Sequence, residues 1–178
     1  RDSHRAGRPA RAAPSRGGVS TPSDMYAIPH RRMAGHVVSL PLLWETPLRT
    51  GNLRDPNGPQ VTFASESFID ELAAAAKADP VEFRLKLLRA RTDDDRGRKR
   101  ARSIAVIEAA VKAYGWDTRR SPKPVGSGEV LTGRGIAYAF RNETVVAQIA
   151  EVEVNRRTGH VWVRRFVCAH DCGLVVNP

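Results

Sequence analysis

The sequence predicts an α+β fold in which three helices precede an antiparallel β-hairpin sheet. Two observations carry this expectation. Apolar residues recur at helical spacing in three segments between residues 59 and 115, and the last third consists of β-rich runs, two of them joined by a short loop ending in glycine. At 178 residues the chain has room for one ordinary domain or two small ones.

The elements follow in order. Residues 1–23 are rich in Arg, Ala, Pro, Gly and Ser with little apolar surface to bury, and read as a disordered basic lead. His36 to Trp44 is apolar and β-rich, but Pro41 demotes it to an edge strand or two short pieces. Thr46 to Pro59 is dense in turn formers and reads as a shaped loop. Pro59 is well placed to open a first helix that turns Phe68, Ile69, Leu72, Ala73 and Ala76 to the core. Asp79-Pro80-Val-Glu82 supplies an N-cap, an N1 proline and a glutamate three residues on from the cap, so a second helix runs from Pro80 to about Arg89. Ile104, Ile107, Val111 and Tyr114 mark a third helix that Gly115 ends. Residues 116–132 read as a linker into strands at Gly133–Phe140, Val145–Asn155 and His160–Cys168, with Arg156-Arg-Thr-Gly159 as the hairpin loop.

A formal net charge of +10 and a pI near 10.5 raise nucleic acid or an acidic surface as a partner. Much of the excess, however, sits in two solvated stretches, Arg1–Arg16 and Arg89–Arg102. The preferred reading is therefore no nucleic acid, with a basic binding module for nucleic acid or an acidic partner as the alternative, and an inactive degenerate product as a third. No apolar run approaches the roughly 20 residues of a membrane-spanning helix. The Arg-rich start lacks the apolar stretch of a secretory signal. Two cysteines make neither a disulfide framework nor a four-ligand zinc site; a reducing cytoplasm is the default compartment, with the periplasm open.

Several clusters could carry chemistry. Cys168, His170, Asp171 and Cys172 lie within five residues, but on a strand Cys168 and His170 share a face that Asp171 does not, so a buried strand residue running into a turn is preferred to a metal site. His30, Arg31 and Arg32 read as solvated surface. Gly126-Ser-Gly128 and Gly133-Arg-Gly135 lack the strand-to-helix setting of a phosphate loop. Glu66 and Asp70 stand one turn apart with Glu71 nearby; paired acids can move protons, but a hydrated helix face is the preferred account. Arg54 is different. It sits in a loop stiffened by Pro47, Pro56 and Pro59 immediately before a helix N-terminus, a setting suited to holding an anion or oxyanion, with pairing to Asp55 as the bland alternative.

At Asn52-Leu-Arg-Asp-Pro-Asn-Gly-Pro-Gln60, Phe63-Ala-Ser-Glu-Ser-Phe-Ile-Asp-Glu-Leu-Ala73 and Asp79-Pro-Val-Glu-Phe-Arg-Leu-Lys-Leu-Leu88, the sequence resembles the molybdopterin-binding large subunit of the xanthine dehydrogenase and aldehyde oxidase family, in its isoquinoline oxidoreductase or nicotinate dehydrogenase type. Asp24-Met-Tyr-Ala-Ile-Pro29, Gly133-Arg-Gly-Ile-Ala137, Val146 to Val154 and Asp171-Cys-Gly-Leu-Val-Val-Asn-Pro178 agree in the same order. The resemblance implies oxidation of an aldehyde or N-heterocycle by water-derived oxygen at a molybdenum-molybdopterin centre, in the cytosine dinucleotide form, with [2Fe–2S] clusters on a small iron-sulfur partner subunit. It divides the chain into the end of a first molybdopterin-binding domain at residues 24–115 and the start of a second at 133–178.

For the site, the resemblance implies that Arg54 faces the substrate and stabilises developing negative charge, that Arg84 lies near the molybdopterin, and that Gln60 belongs to the same cofactor-binding loop. Departures accompany it. Leu53 and Asp55-Pro56 flank Arg54 where many relatives carry an aromatic before the arginine or a small residue and glycine after it, so either Asp55 neutralises Arg54 or the pocket differs. The Gly-Gln-Gly pterin loop and the late Gly-Glu that supplies the base glutamate are absent. The chain is thus expected to be an internal fragment, inactive by itself.

Overall fold

The computed structural model describes residues 26–30, 55, 58–90 and 100–177. The basic lead, the strand expected at 36–44 and Arg54 lie outside them. Three helices, α1 (Gly58–Ala75), α2 (Pro80–Arg89) and α3 (Arg100–Tyr114), precede three strands, β1 (Val130–Arg141), β2 (Thr144–Asn155) and β3 (Val161–Asp171). The strands form one antiparallel sheet in the order β1-β2-β3.

Each helix end has a local cause. At α2, Asp79 Oδ1 accepts from the backbone N–H groups of Val81 at 2.8 Å and Glu82 at 3.1 Å, so the proline at N1 leaves no donor wanting. At α3, Gly115 adopts φ +74° and its N–H and that of Trp116 both return to the Val111 carbonyl, which ends the helix in the left-handed conformation that glycine tolerates best. Gly159, φ +72°, does the same for the β2–β3 loop.

The sheet registers its apolar face on the helices. Ile136, Tyr138 and Phe140 of β1 pair with Ile149, Ala147 and Val145 of β2, and all six are buried. Val167 and Ala169 continue the face on β3, and α3 packs across it through Val106, Ile107 and Ala110. Ile69 of α1 and Val81, Leu85 and Leu88 of α2 belong to the same apolar cluster, as does Tyr26, whose ring meets Tyr138 edge-on at 5.8 Å.

The opposite face of the sheet has no cover among the described residues. A register shift opposite Glu151 and Val152 skips one residue of β3, so Val163 faces Val152 while Phe166 faces Ala150. The bulge thereby turns Val161 and Val163 to the same side as Phe166, and all three are more than half exposed. Cys168, expected to be buried, shares that side with Phe166 by plain alternation and is exposed because no described residue covers it. Phe68, expected to face the core, is 56% exposed, because Ile69, Ala73 and the half-buried Leu72 already fill the inward stripe of α1.

Candidate functional site

The chain's main polar construction joins α1, α2, β1 and the segment at Tyr26. Glu66 points from α1 into the core, only 5% exposed, and four donor contacts converge on it. Arg84 Nε donates to Oε2 at 2.9 Å, the backbone N–H of Tyr138 donates to the same oxygen at 2.9 Å, the Tyr26 hydroxyl donates to Oε1 at 3.0 Å, and Arg84 Nη2 donates to the Glu66 carbonyl at 3.1 Å. Arg84 Nη1 reaches Asp70 Oδ1 at 2.6 Å and the Pro80 carbonyl at 3.0 Å. A hydrated acidic face on α1 was expected. Instead the spacing of Glu66 and Asp70 matches the reach of one guanidinium on the next helix; burial without partners would be costly for Glu66 and Arg84, while Asp70 stays part-exposed.

Electrostatics follow from that packing. Burial raises the Glu66 carboxyl above its usual range, with the Arg84 charge and the converging donors pulling the other way. Burial also works against the Arg84 cation, but Glu66, then Tyr26 and Asp70, outweigh it and hold the guanidinium charged. Burial and the neighbouring Glu66 push the Tyr26 phenol well above its ordinary value.

A second hub is Asp79. Besides capping α2, it accepts from Trp116 Nε1 and from the backbone N–H of Arg119 at 3.0 Å each through Oδ2, which fastens the segment after α3 to the start of α2. A third is Asp55, in the left-handed region at φ 56°, which accepts from the Gly58 N–H at 3.1 Å and pairs with Arg141 at the end of β1. A side chain at 58 would meet the Asp55 carboxylate, which would have to shift from its present contact with the Gly58 N–H. The pairing of Asp55 with Arg54 lies outside the described residues; among those described, Asp55 contacts the helix N-terminus and Arg141.

The residues singled out for a cofactor are thus placed differently. Gln60 lies on the first turn of α1 with its side chain exposed, whereas Arg84 has no exposed surface and its guanidinium is occupied by Glu66, Asp70 and Pro80. Two adjoining cavities, near the start of β1, include neither residue. Arg84 is held between α1 and α2 by Glu66, Asp70 and the Pro80 carbonyl. The end cluster also resolves: Asp171 is held by Arg102 of α3, Nε to Oδ2 at 2.7 Å and Nη2 to Oδ1 at 2.6 Å, while Cys168 and His170 face away.

Sequence reasoning missed Tyr26, Tyr138 and the second function of Asp79. One signal was present: two acids one turn apart on α1 and an arginine on the inward stripe of the next helix, Val81, Arg84, Leu85, Leu88.

Residues 55–178 match the family model described as molybdopterin cofactor-binding domain, and residues 6–88 match a second model of that description. The chain is 39% identical over 143 residues to a nicotinate dehydrogenase subunit of Pseudomonas putida, covering 75% of this chain and 11% of that one. It is 34% identical over 119 residues to the beta subunit of isoquinoline 1-oxidoreductase of Brevundimonas diminuta, covering 67% and 13%. It is 34% identical over 113 residues to the aldehyde oxidoreductase molybdenum-binding subunit PaoC of Escherichia coli, covering 61% and 15%. The chain thus spans 11–15% of the length of these relatives. With the family model matched along the helices and the whole sheet, the chain belongs to the molybdopterin cofactor-binding domain family.

Proposed function

We propose that the chain is part of the molybdenum-binding subunit of a molybdenum hydroxylase, and that the intact enzyme oxidises an aldehyde or N-heterocycle by insertion of water-derived oxygen. The observation that carries this is the in-order match of two molybdopterin-domain models, joined by relatives named for nicotinate, isoquinoline and aldehyde. The cofactor of this reading is molybdenum-molybdopterin in its cytosine dinucleotide form, which supplies the redox chemistry when bound, with [2Fe–2S] clusters on a small partner subunit.

In this reading Arg54 faces the substrate and stabilises negative charge as it develops. The engagement of Asp55 with Gly58 and Arg141 supports it, because that carboxylate already has a cationic partner. Gln60, on the first turn of α1, belongs to the cofactor-binding loop, and Arg84 lies near the molybdopterin, held in place by Glu66 and Asp70. The base glutamate comes from a part of the enzyme outside these residues, so the 178-residue chain is inactive alone.

The test is to express the longer protein containing this chain together with a small iron-sulfur subunit, and to measure metal content and dye reduction with nicotinate, isoquinoline or an aromatic aldehyde. Near-stoichiometric molybdenum and turnover of one of these substrate classes are expected; an assembled complex without molybdenum would sink the proposal. Arg54→Ala should lower kcat by roughly 10²–10³-fold with molybdenum retained. Unchanged turnover would remove Arg54 from the mechanism. The isolated chain should hold no molybdenum, and elemental analysis showing about one atom per chain would overturn the fragment reading.

A further inference from the structure

We propose that the cavity between the segment after α3 and the start of β1 is a binding site for a compact phosphate-bearing anion. The site is independent of the proposed oxidation. The cavity measures about 220 Å³, and its walls carry Arg119, Arg120, Lys123 and Arg134 with no aspartate or glutamate among the lining residues. An adjoining cavity of about 330 Å³ shares Arg119, Lys123 and Arg134, adds Arg165, and has Asp117 and Glu151 on its wall.

Charge at the first cavity is under-compensated. Arg119, at 3.8 Å, and Arg134 share the single carboxylate of Asp117, while Arg120 and Lys123 have no carboxylate partner among the described residues. Asp79 lies behind the wall, and its oxygens are turned to four N–H donors. Cations drawn together around a concavity raise the local potential for an anion beyond what the same charges do when dispersed.

The walls are also held in place. Asp79 fastens Trp116 and the Arg119 backbone, the Ser121 N–H donates to the Ala78 carbonyl at 3.3 Å, and the Arg134 guanidinium lies over the Trp116 ring, 3.7 Å from its centroid. A site formed before the ligand arrives loses less entropy on binding.

Size and donor type select the ligand class. The volume is below the roughly 300–1,000 Å³ of drug-sized sites, which favours a small ligand. Guanidinium forks match phosphate oxygens in pairs, and Thr132 offers a hydroxyl at the same wall. Gly133 and Arg134, in a Gly-Arg-Gly stretch that lacks phosphate-loop spacing, border the cavity from β1.

Isothermal titration of the full chain at low salt, with inorganic pyrophosphate in one arm and ADP in the other, tests the site. Saturable one-to-one binding is expected in at least one arm; the tighter arm tells whether the phosphates come free or on a nucleoside. The double variant Arg120→Ala/Lys123→Ala alters two exposed side chains and should weaken binding about tenfold or more with an unchanged circular dichroism spectrum. Arg156→Ala, an exposed cation in the β2–β3 loop, should leave binding unchanged. Absence of saturable binding in both arms, or equal loss in the Arg156 variant, would overturn the proposal.

Discussion

Glu66 and Arg84, 18 residues apart on neighbouring helices, form a 2.9 Å ion pair that is almost wholly buried and lies against the backbone N–H of Tyr138 in the sheet. The pair therefore couples three elements at once. Its partners satisfy both charges, which is the condition under which a buried ion pair is tolerated.

Removing one member should be far worse than replacing both. Arg84→Ala leaves the Glu66 carboxylate buried without its cation and is expected to cost about 3–5 kcal/mol. Arg84→Met combined with Glu66→Leu should cost less than the sum of the single replacements, since the unpaired charge is absent. Urea denaturation of the four proteins of this cycle checks the coupling; additive losses would show that the pair does not act as a unit.

Tyr26 should make the fold sensitive to alkali. Its phenol is raised in the folded chain by burial first and then by Glu66, whereas the unfolded phenol titrates near its ordinary value of 10.0. Above pH 10 the folded state therefore binds more protons than the unfolded state, and stability falls as pH rises through that window. Tyr114 is raised in the same direction by burial and Glu151, so Tyr26→Phe should flatten the alkaline slope without abolishing it. Denaturant midpoints measured from pH 9 to 12 decide this, and an unchanged slope would show that Tyr26 is not the titrating group.

Asp79→Ala removes a helix cap and the anchor of Trp116 together. A loss of roughly 2–3 kcal/mol is expected from a cap plus hydrogen bonds to a buried carboxylate. Amide hydrogen exchange should show Arg119 losing protection as well as Val81 and Glu82. Loss confined to α2 would separate the two functions.

The uncovered side of β3 should drive association. Val161, Val163 and Phe166 stand together on β3, which has no second strand neighbour among the described residues, a combination that templates edge-to-edge contact. The chain alone is expected to sediment in a concentration-dependent way, and Val163→Lys should suppress this with a stability change within about 0.5 kcal/mol. Ideal monomeric sedimentation of the parent chain would contradict the expectation.

Much of the fold was legible in local chemistry. Asp79-Pro80 marked the start of α2 and Gly115 the end of α3, because caps depend on a few adjacent residues. Alternation placed Cys168 and His170 on one face and Asp171 on the other, because strand parity is local too. The family could also be read from ordered motifs, and the family models match the same stretches.

Local chemistry along the chain therefore settles the three helices, the three strands of the sheet and the family, while the strand ends shift: β1 opens at Val130 rather than Gly133, and β3 runs on to Asp171. Long-range packing decided which polar residues went inside. Glu66 reads as a surface acid until Arg84, Tyr26 and the Tyr138 N–H converge on it from three other segments. Phe68 and Cys168 read as core until packing leaves them outside, and only the sheet brings Arg141 of β1 to Asp55. The reason is range: caps and periodicity act over a few residues, while the desolvation that makes a charge costly or tolerable is set by groups far away in the chain.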